Sequence, residues 1–390
     1  MLRFAPAVNE EKPPETPAPA AASLVADGGA LSRLVDHLRG APAEPIALDT
    51  EADSFHHYYE KVCLIQIGHG GEAALVDPLA PVDLAPLLEL LAERRLVLHG
   101  ADYDLRLLWR GYGFRASQVF DTMIAAQLLG ETELGLAALL GKRAGVTLDK
   151  AHQRADWSER PLAPGMALYA AKDVLHLADL ASSLEADLVA KGRLAWHEEE
   201  CARLAAMDIA TKELDPENDW RIKGTNALGA KERAFARAFY FARDARARET
   251  DRPPFRVLTN ERLLEAAKRA AAGETRLPEL FPGPRPLPPP FARALREAIE
   301  TARALPQSDW PLPRRAEPYR SEPALERAVE ELKKTRDARA KTLGLDPGVL
   351  ASRALLVAAA RARLDAGRAL DGAALARETG MSRWRAEILS

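Results

Sequence analysis

Two carboxylates stand two residues apart in the stretch Pro-Ile-Ala-Leu-Asp-Thr-Glu-Ala-Asp at residues 45–53. Apolar residues alternate with polar ones here, which predicts a strand with one buried face. Side chains two apart in a strand share a face, so Asp49 and Glu51 project together. They repel each other unless a cation or a shared proton lies between them. Oxygen ligands of this kind suit Mg²⁺ or Mn²⁺, whereas an isolated Asp-x-Glu is typical of a plain strand end.

Further acidic side chains stand where a sheet would bring them near the first pair. Asp104, in His-Gly-Ala-Asp-Tyr-Asp-Leu, lies in the first turns of a helix that follows a predicted strand. That is the edge at which α/β sheets usually bind ligands. Tyr169 and Asp173 are four residues apart, which puts a phenol and a carboxylate on one helix face. Each acid alone is typical of a surface group or a cap, and Tyr169 alone of a core residue. Together the four acids predict a metal cage.

The elements that position these side chains follow from hydrophobic periodicity. The pattern predicts strands at residues 46–51, 62–68, 73–77 and 96–99, and helices at residues 31–39, 84–94, 102–110, from about 121, and 134–145. Consecutive strands followed by alternating strands and helices predict an α/β domain with a mixed sheet flanked by helices. Residues 1–22, rich in Pro, Ala and Glu, are predicted to be a disordered tail.

Beyond about residue 195 the pattern predicts helices only. They are expected at residues 231–247, 261–271 and 291–304, and then from 323 to 389 with breaks at 344–347 and 367–372. Proline-rich stretches at 277–290 and 305–318 are predicted to be extended connectors. The second half of the chain is therefore predicted to be all-α, in two small helical modules.

Length, charge and cysteine content narrow the class of protein. The chain has 390 residues, which favours two or three domains. No apolar run approaches the roughly 18–20 residues of a membrane span, and the start does not look like a secretory signal. Two distant cysteines do not form a disulfide framework. We therefore expect a cytoplasmic protein with no membrane partner.

Charge is divided unevenly between the two halves. Residues 201–390 hold 36 Lys and Arg against 27 Asp and Glu, a balance of +9, and residues 1–200 hold 18 against 30, a balance of −12. This division is typical of a metal-dependent catalytic unit joined to a unit that binds polyanions. The alternative is that the arginine-rich helices are simply solvated.

The acidic motifs resemble those of a known superfamily. Asp49-Thr-Glu51, Asp104 within His-x-x-x-x-Asp-Leu, and Tyr169-x-x-x-Asp173 resemble the three motifs of the DEDD exonucleases, in their tyrosine-bearing branch. Residues 49–59, 120–126, 150–157 and 160–162 look specifically like the ribonuclease D family. The resemblance implies a ribonuclease-H-like mixed sheet with flanking helices.

The resemblance extends into the second half of the chain. Trp220, Arg243 and residues 253–264 look like the helical HRDC module, and residues 336–345 with 384–389 look like a weaker second copy. The implied division is a tail at 1–22, an exonuclease domain at 23–195, an HRDC-like domain at 205–304, a proline-rich linker at 305–320 and a second HRDC-like domain at 321–390.

The resemblance also implies an activity. It is that of a 3′–5′ exoribonuclease that releases nucleoside 5′-monophosphates, with two divalent cations, Mg²⁺ or Mn²⁺, bound by Asp49, Glu51, Asp104 and Asp173. Tyr169 would position the attacking water, since a phenol with a pKa of about 10 is a poor base at neutral pH. The implied substrates are structured RNAs, above all the 3′ ends of tRNA precursors. Because residues 201–390 carry the balance of +9, their deletion is expected to spare hydrolysis of short single strands and to impair action on folded RNA.

Side chains around the acids are predicted to contact the nucleic acid. The aromatic stretch 55–59 could stack terminal bases or pack as an ordinary loop, and the basic residues of 150–160 could bind phosphates or be exposed. His99 is expected to pack or hydrogen-bond behind the site, and Asp121 to cap its helix. The predicted substrate-contacting residues are Thr50, Phe55, His56, Tyr58, His99, Lys150, Gln153, Arg154, Trp157 and Arg160.

Two alternative functions stay open. A DNA exonuclease of the same superfamily would use the same metal chemistry, and only recognition of the 2′-hydroxyl would separate the two. A nucleic-acid-binding adaptor, with partners recruited by the helical modules and hydrolysis incidental, would have no use for four converging acids. The intact set of acids therefore favours an enzyme.

Overall fold

A six-stranded mixed sheet forms the centre of the first half of the chain. The structure, a computed structural model, describes residues 22–41, 44–149, 151–209, 215–313 and 322–390; residues 1–21 of the predicted tail lie outside these ranges. The sheet order is β1-β4-β3-β2-β5-β6. β3 is antiparallel to β2 and β4, and the other neighbouring pairs are parallel. The strands are β1 (Ser23–Val25), β2 (Ile46–Ala52), β3 (Val62–His69), β4 (Glu72–Val76), β5 (Arg95–Leu98) and β6 (Gln118–Asp121).

Helices cover both faces of this sheet. They are α1 (Gly28–Gly40), α2 (Ala85–Glu93), α3 (Asp102–Tyr112), α4 (Thr122–Leu129), α5 (Leu136–Ala144), α6 (Pro164–Leu175), α7 (Leu177–Ala190) and α8 (Leu194–Ala205). The first three pack on one face, where Ile46 and Leu48 of β2 enter a common core. Helices α4 to α7 pack on the other face, which carries Ala47 and Asp49. The predicted α/β architecture, with a mixed sheet flanked by helices, is confirmed.

Two strands are absent from the prediction. β1 has only three residues, too few for periodicity to show, and it exists because it pairs in parallel with β4. β6 directly precedes the helix predicted from about residue 121, and it pairs in parallel with β5 at the edge of the sheet. Backbone hydrogen bonds to a neighbouring strand stabilise both segments, and such partners are not visible in a local pattern.

A second group of helices forms its own apolar core. It comprises α9 (Ala230–Glu249), α10 (Pro254–Val257), α11 (Asn260–Ala271), α12 (Leu277–Leu280) and α13 (Pro289–Ala304). The prediction of an extended connector at residues 277–290 is wrong at its start, because α12 begins with the proline in its first turn, where a missing N–H costs nothing. Of the predicted linker at 305–320, residues 314–320 lie outside the described ranges.

The last group comprises α14 (Pro323–Leu343), α15 (Pro347–Leu350), α16 (Arg353–Ala366), α17 (Gly372–Thr379) and α18 (Arg383–Leu389). Part of it has a core of its own, but Leu345 and Trp384 belong to the apolar cluster of the sheet's second face. The indole of Trp384 stacks on Trp196 of α8 with ring centroids 4.7 Å apart. No described helix is long and apolar enough to cross a membrane.

Candidate active site

Three carboxylates meet at the end of β2. Asp49 and Glu51 lie two apart on that strand, and Asp173 reaches them from α6, which crosses the same face of the sheet. One oxygen from each of the three lies within 4.8 Å of the others. The register of β2 against β3 shifts between Glu51 and Ala52, so the strand turns away directly after the second acid. Three carboxylate oxygens at this spacing suit a hard divalent cation.

Asp104 lies beside this cluster in the first turn of α3. Its side chain is buried and accepts a hydrogen bond of 2.5 Å from the Thr50 hydroxyl. Thr50 points to the face of β2 opposite to Asp49 and Glu51 and is itself buried. The prediction that Thr50 contacts substrate through its side chain therefore does not fit; its hydroxyl holds Asp104 in place instead.

Burial raises the pKa of every acid in the site, and repulsion among the four acids adds to it for Asp49 and Glu51. The pKa of Asp49 lies well above its ordinary range because of burial and then the charges of Asp104, Asp173 and Glu51. Burial, with Asp173 and Asp104, raises the pKa of Glu51 to about 9. Burial also raises the pKa of Asp104 to about 6 and that of Asp173 to about 7. Four ionised carboxylates are therefore unfavourable here unless cations neutralise them.

Tyr169 stands one helical turn before Asp173 on α6. A hydrogen bond joins its hydroxyl to the Asp173 side chain, and burial together with the charge of Asp173 raises the pKa of the phenol above its usual range. The hydroxyl therefore keeps its proton at neutral pH. Its ring packs against the indole of Trp157 and the imidazole of His152, each with centroids 6.0 Å away. This arrangement suits a positioning group.

A cleft opens directly on the acids. Its volume is about 520 Å³, and it is bounded on the far side by the start of α5 and by the loop that precedes α6. Of the predicted substrate contacts, His99 and Gln153 line it together with Asp49, Tyr169 and Asp173. Glu133 and Asp149 also line the cleft, and no spacing or pattern in the sequence marked them. Lys150 lies outside the described residues.

His99 and Asp121 hold the turn behind the cleft. The Thr122 hydroxyl donates to the Leu98 carbonyl and so accepts from Nδ1 of His99, at 2.9 Å. Burial lowers the pKa of the imidazole, so His99 is neutral at pH 7. Asp121 caps α4 by accepting from the Met123 N–H, as predicted, and also accepts from the N–H groups before α3.

The loop after β2 carries an exposed aromatic ring, for which the sequence left base stacking and ordinary loop packing open. Phe55 is 47% exposed, and the Arg154 guanidinium lies 5.9 Å from its ring centroid. His56 donates from Nε2 to the Arg154 carbonyl, and its Nδ1 lies 3.3 Å from the Arg256 guanidinium of the second helical group. Phe55 therefore presents a partly exposed aromatic ring beside Arg154.

Tyr58 has a different role from the predicted one. Its hydroxyl donates to Asp244 at 2.9 Å and accepts from Arg248 at 2.8 Å, both on α9. The N–H groups of Tyr58 and Tyr59 each donate to Asp251 at 3.0 Å. The Tyr58 side chain is therefore engaged in docking the second helical group, and stacking on a base does not fit. Asp251 was not predicted, because its partners are nearly two hundred positions away.

Trp157 and Arg160 are also structural. The Trp157 indole is 1% exposed and packs in the apolar cluster under α6. Arg160 forms a paired hydrogen bond with Asp77, 2.7 Å at both oxygens, and binds the Cys63 carbonyl. The prediction of substrate contact is therefore wrong for the Trp157 ring, which no solute can reach. The prediction does not fit Arg160 either, since the N–H groups of its guanidinium already donate to Asp77 and to the Cys63 carbonyl.

Comparison with known proteins identifies the family of this chain. The sequence pattern of a 3′–5′ exonuclease family matches residues 24–189. The chain is 33% identical over 300 residues to ribonuclease D of Acidiphilium cryptum, covering 74% of each chain, and 33% identical over 341 residues to that of Granulibacter bethesdensis, covering 85% of this chain and 84% of the other.

Solved structures agree. Escherichia coli RNase D superposes with a TM-score of 0.65 at 28% identity, over 88% of this chain and 91% of that one. The catalytic core of RRP6 from Trypanosoma brucei superposes with a TM-score of 0.64 at 25% identity, over 76% and 82%. The protein therefore belongs to the ribonuclease D family of 3′–5′ exoribonucleases.

Proposed function

We propose that this exoribonuclease uses two divalent cations, Mg²⁺ or Mn²⁺, to remove nucleotides from the 3′ ends of structured RNA. The observation that carries the proposal is the convergence of Asp49, Glu51 and Asp173 within 4.8 Å, with Asp104 fixed beside them by Thr50. These four carboxylates would hold the ions. When bound, such ions activate a water and neutralise the departing 3′ oxygen of an in-line displacement at phosphorus, which yields nucleoside 5′-monophosphates.

The chain's own groups would orient the reactants. Tyr169 keeps its proton, which is directed to Asp173, so the lone pairs of its oxygen are free to accept a hydrogen bond from the attacking water. His99, neutral and lining the cleft, offers the terminal nucleotide an uncharged imidazole. Phe55, with Arg154 beside its ring, would stack a base near the 3′ end, and Gln153 would contact the terminal nucleotide from the cleft wall.

The proposed substrates are precursors with a folded body, tRNA above all. Escherichia coli RNase D is described as an exoribonuclease involved in structured RNA processing, and the excess of 36 basic over 27 acidic residues in positions 201–390 suits a polyanion. We assign residues 23–195 to the exonuclease domain, and 205–304 and 321–390 to HRDC-like modules joined by the 305–320 linker. Two free thiols suit the reducing cytoplasm.

The test is digestion of matched RNA and DNA oligonucleotides carrying a label at the 5′ or the 3′ end. Each is incubated with Mg²⁺, with Mn²⁺ or with EDTA. Asp49→Asn is the site variant, and Glu93→Gln, at an exposed carboxylate ending α2, is the matched control. We expect RNA to shorten from its 3′ end with wild type and control, and not with EDTA or the site variant.

Other outcomes lead to other functions. Equal shortening of DNA would transfer the assignment to the DNA exonuclease. RNA binding without hydrolysis under either ion would refute the proposal and favour the adaptor.

A further inference from the structure

Gln66 is a polar side chain in the middle of the sheet that the activity described so far does not use. It lies on β3 and is fully buried. Neither its amide nitrogen nor its amide oxygen has a hydrogen-bond partner among the described residues. A buried amide left unpaired costs free energy, so a role for Gln66 must be sought among its neighbours.

The register of the sheet places Gln66 directly opposite Asp49. Residues opposite each other in an antiparallel pair lie on the same face, with Cβ atoms roughly 4.5–5.5 Å apart. The amide carbon of glutamine is two bonds beyond its Cβ, and the carboxylate carbon of aspartate is one bond beyond its own. The amide can therefore reach an oxygen of Asp49 by rotation about its side-chain bonds alone.

The positions next to Gln66 along β3 and opposite it on β4 offer the amide no polar side chain. Leu64 and Gly68 are two residues away along β3, and Leu75 is the opposite residue on β4. Helix α6 closes the layer above them: a Cβ on Gly68 would lie 2.6 Å from the Val174 carbonyl oxygen. Among these adjacent positions, Asp49 alone carries a hydrogen-bonding side chain.

We propose that Gln66 is a positioning residue for the metal site: its Nε2 donates to the Asp49 oxygen that faces away from the cations. The inference rests on the two-cation function proposed above. Hydrogen bonds of this kind fix the orientation of ligating carboxylates, and their loss typically weakens metal binding by about 10–100-fold. The same site already shows such an arrangement once, in the Thr50 hydroxyl that holds Asp104.

The experiment measures Mn²⁺ binding by titration calorimetry on the full chain without RNA, and thermal unfolding in EDTA. Gln66→Met keeps the length of the side chain and removes both polar groups. We expect it to weaken Mn²⁺ binding by about tenfold or more without lowering the unfolding midpoint in EDTA, since an unpaired amide is removed. Ile65→Met, a buried position on the opposite face of β3, should leave Mn²⁺ affinity unchanged.

Mn²⁺ affinity equal to that of wild type in Gln66→Met would overturn the role of Gln66. A lower midpoint in EDTA with unchanged Mn²⁺ affinity would do the same, because it would show a purely structural role. If Gln66→Met does not fold, the same two measurements are made on Gln66→Asn, whose amide is one methylene shorter. Wild type that binds no Mn²⁺ would refute the proposed function itself, and this outcome is distinct from a failure confined to Gln66.

Discussion

Glu51→Gln is predicted to stabilise the metal-free protein at neutral pH while it abolishes metal binding. Burial, Asp173 and Asp104 raise the pKa of Glu51 from its ordinary 4.5 to about 9. Below pH 4.5 the Glu51 carboxyl is protonated in the folded and unfolded states alike, so it does not lower the free energy of unfolding. As the pH rises towards 9, the unfolded chain releases the proton and the folded chain retains it. The free energy of unfolding therefore falls with rising pH, and levels off above pH 9.

The size of the effect follows from the same pKa values. A difference of one unit in pKa corresponds to about 1.4 kcal/mol, so keeping Glu51 protonated at pH 7 costs about 3 kcal/mol. The amide that Glu51→Gln introduces is neutral at every pH and avoids this cost. Between pH 5.5 and pH 7 the stability difference between Glu51→Gln and wild type should therefore grow by about 2 kcal/mol in favour of the variant.

The measurement is urea denaturation in EDTA at these two pH values, with Glu93→Gln as the control for losing an exposed carboxylate. Addition of Mn²⁺ should raise the stability of wild type by mass action and leave Glu51→Gln unchanged. A stability difference that does not change between pH 5.5 and pH 7 would refute the reasoning, because it would mean that Glu51 is ionised in the folded metal-free site. A Mn²⁺ effect in the variant would refute its place among the ligands.

Two further predictions concern contacts that join distant parts of the chain. Arg160→Met should lower the free energy of unfolding by about 3 kcal/mol, because buried Asp77 loses its paired partner; urea denaturation checks this, and kcat on short RNA should be unchanged. Asp251→Ala removes the acceptor of the Tyr58 and Tyr59 N–H groups, so activity on a short single strand should fall several-fold together with activity on folded RNA. Loss on folded RNA alone would contradict a role in holding the loop after β2.

The acid cluster could be predicted because its members are fixed by local geometry. Asp49 and Glu51 share a face through the period of two in a strand, and Tyr169 and Asp173 share one through the helical period. The two pairs meet because α6 packs against β2. The mixed α/β fold was predictable for the same reason, since buried strands such as β3 read as apolar runs bounded by turns.

The neighbours of the cluster could not be assigned in this way. Arginine and tyrosine side chains can serve substrate or structure equally well, and the choice depends on partners far away in sequence. Arg160 is committed by Asp77, 83 positions distant, and Tyr58 by Asp244, 186 positions distant. The role of Trp157 is equally ambiguous in the sequence, because an indole can stack on a base of the substrate or pack in the core.

The contacts of Tyr58 bear on what the second helical group does. The loop that contains Tyr58 and Phe55 follows β2 directly, so it continues from the strand that presents Asp49 and Glu51. Asp244 and Arg248 of α9 form hydrogen bonds with the Tyr58 hydroxyl of this loop. The expectation that residues 201–390 can be deleted without harm to short substrates therefore loses its basis, since the deletion removes these partners.

The deletion would also change the nuclease core itself. Leu345 and Trp384 of the last helical group complete the apolar cluster on the second face of the sheet, and Arg385 binds Glu200 of α8 at 2.8 Å. Their removal would expose apolar surface and leave Glu200 without its cation, so loss of activity in the truncated chain would report unfolding as readily as lost RNA binding. Substitutions at single contacts, with Asp251 as the first, separate these causes because they leave the apolar cluster intact.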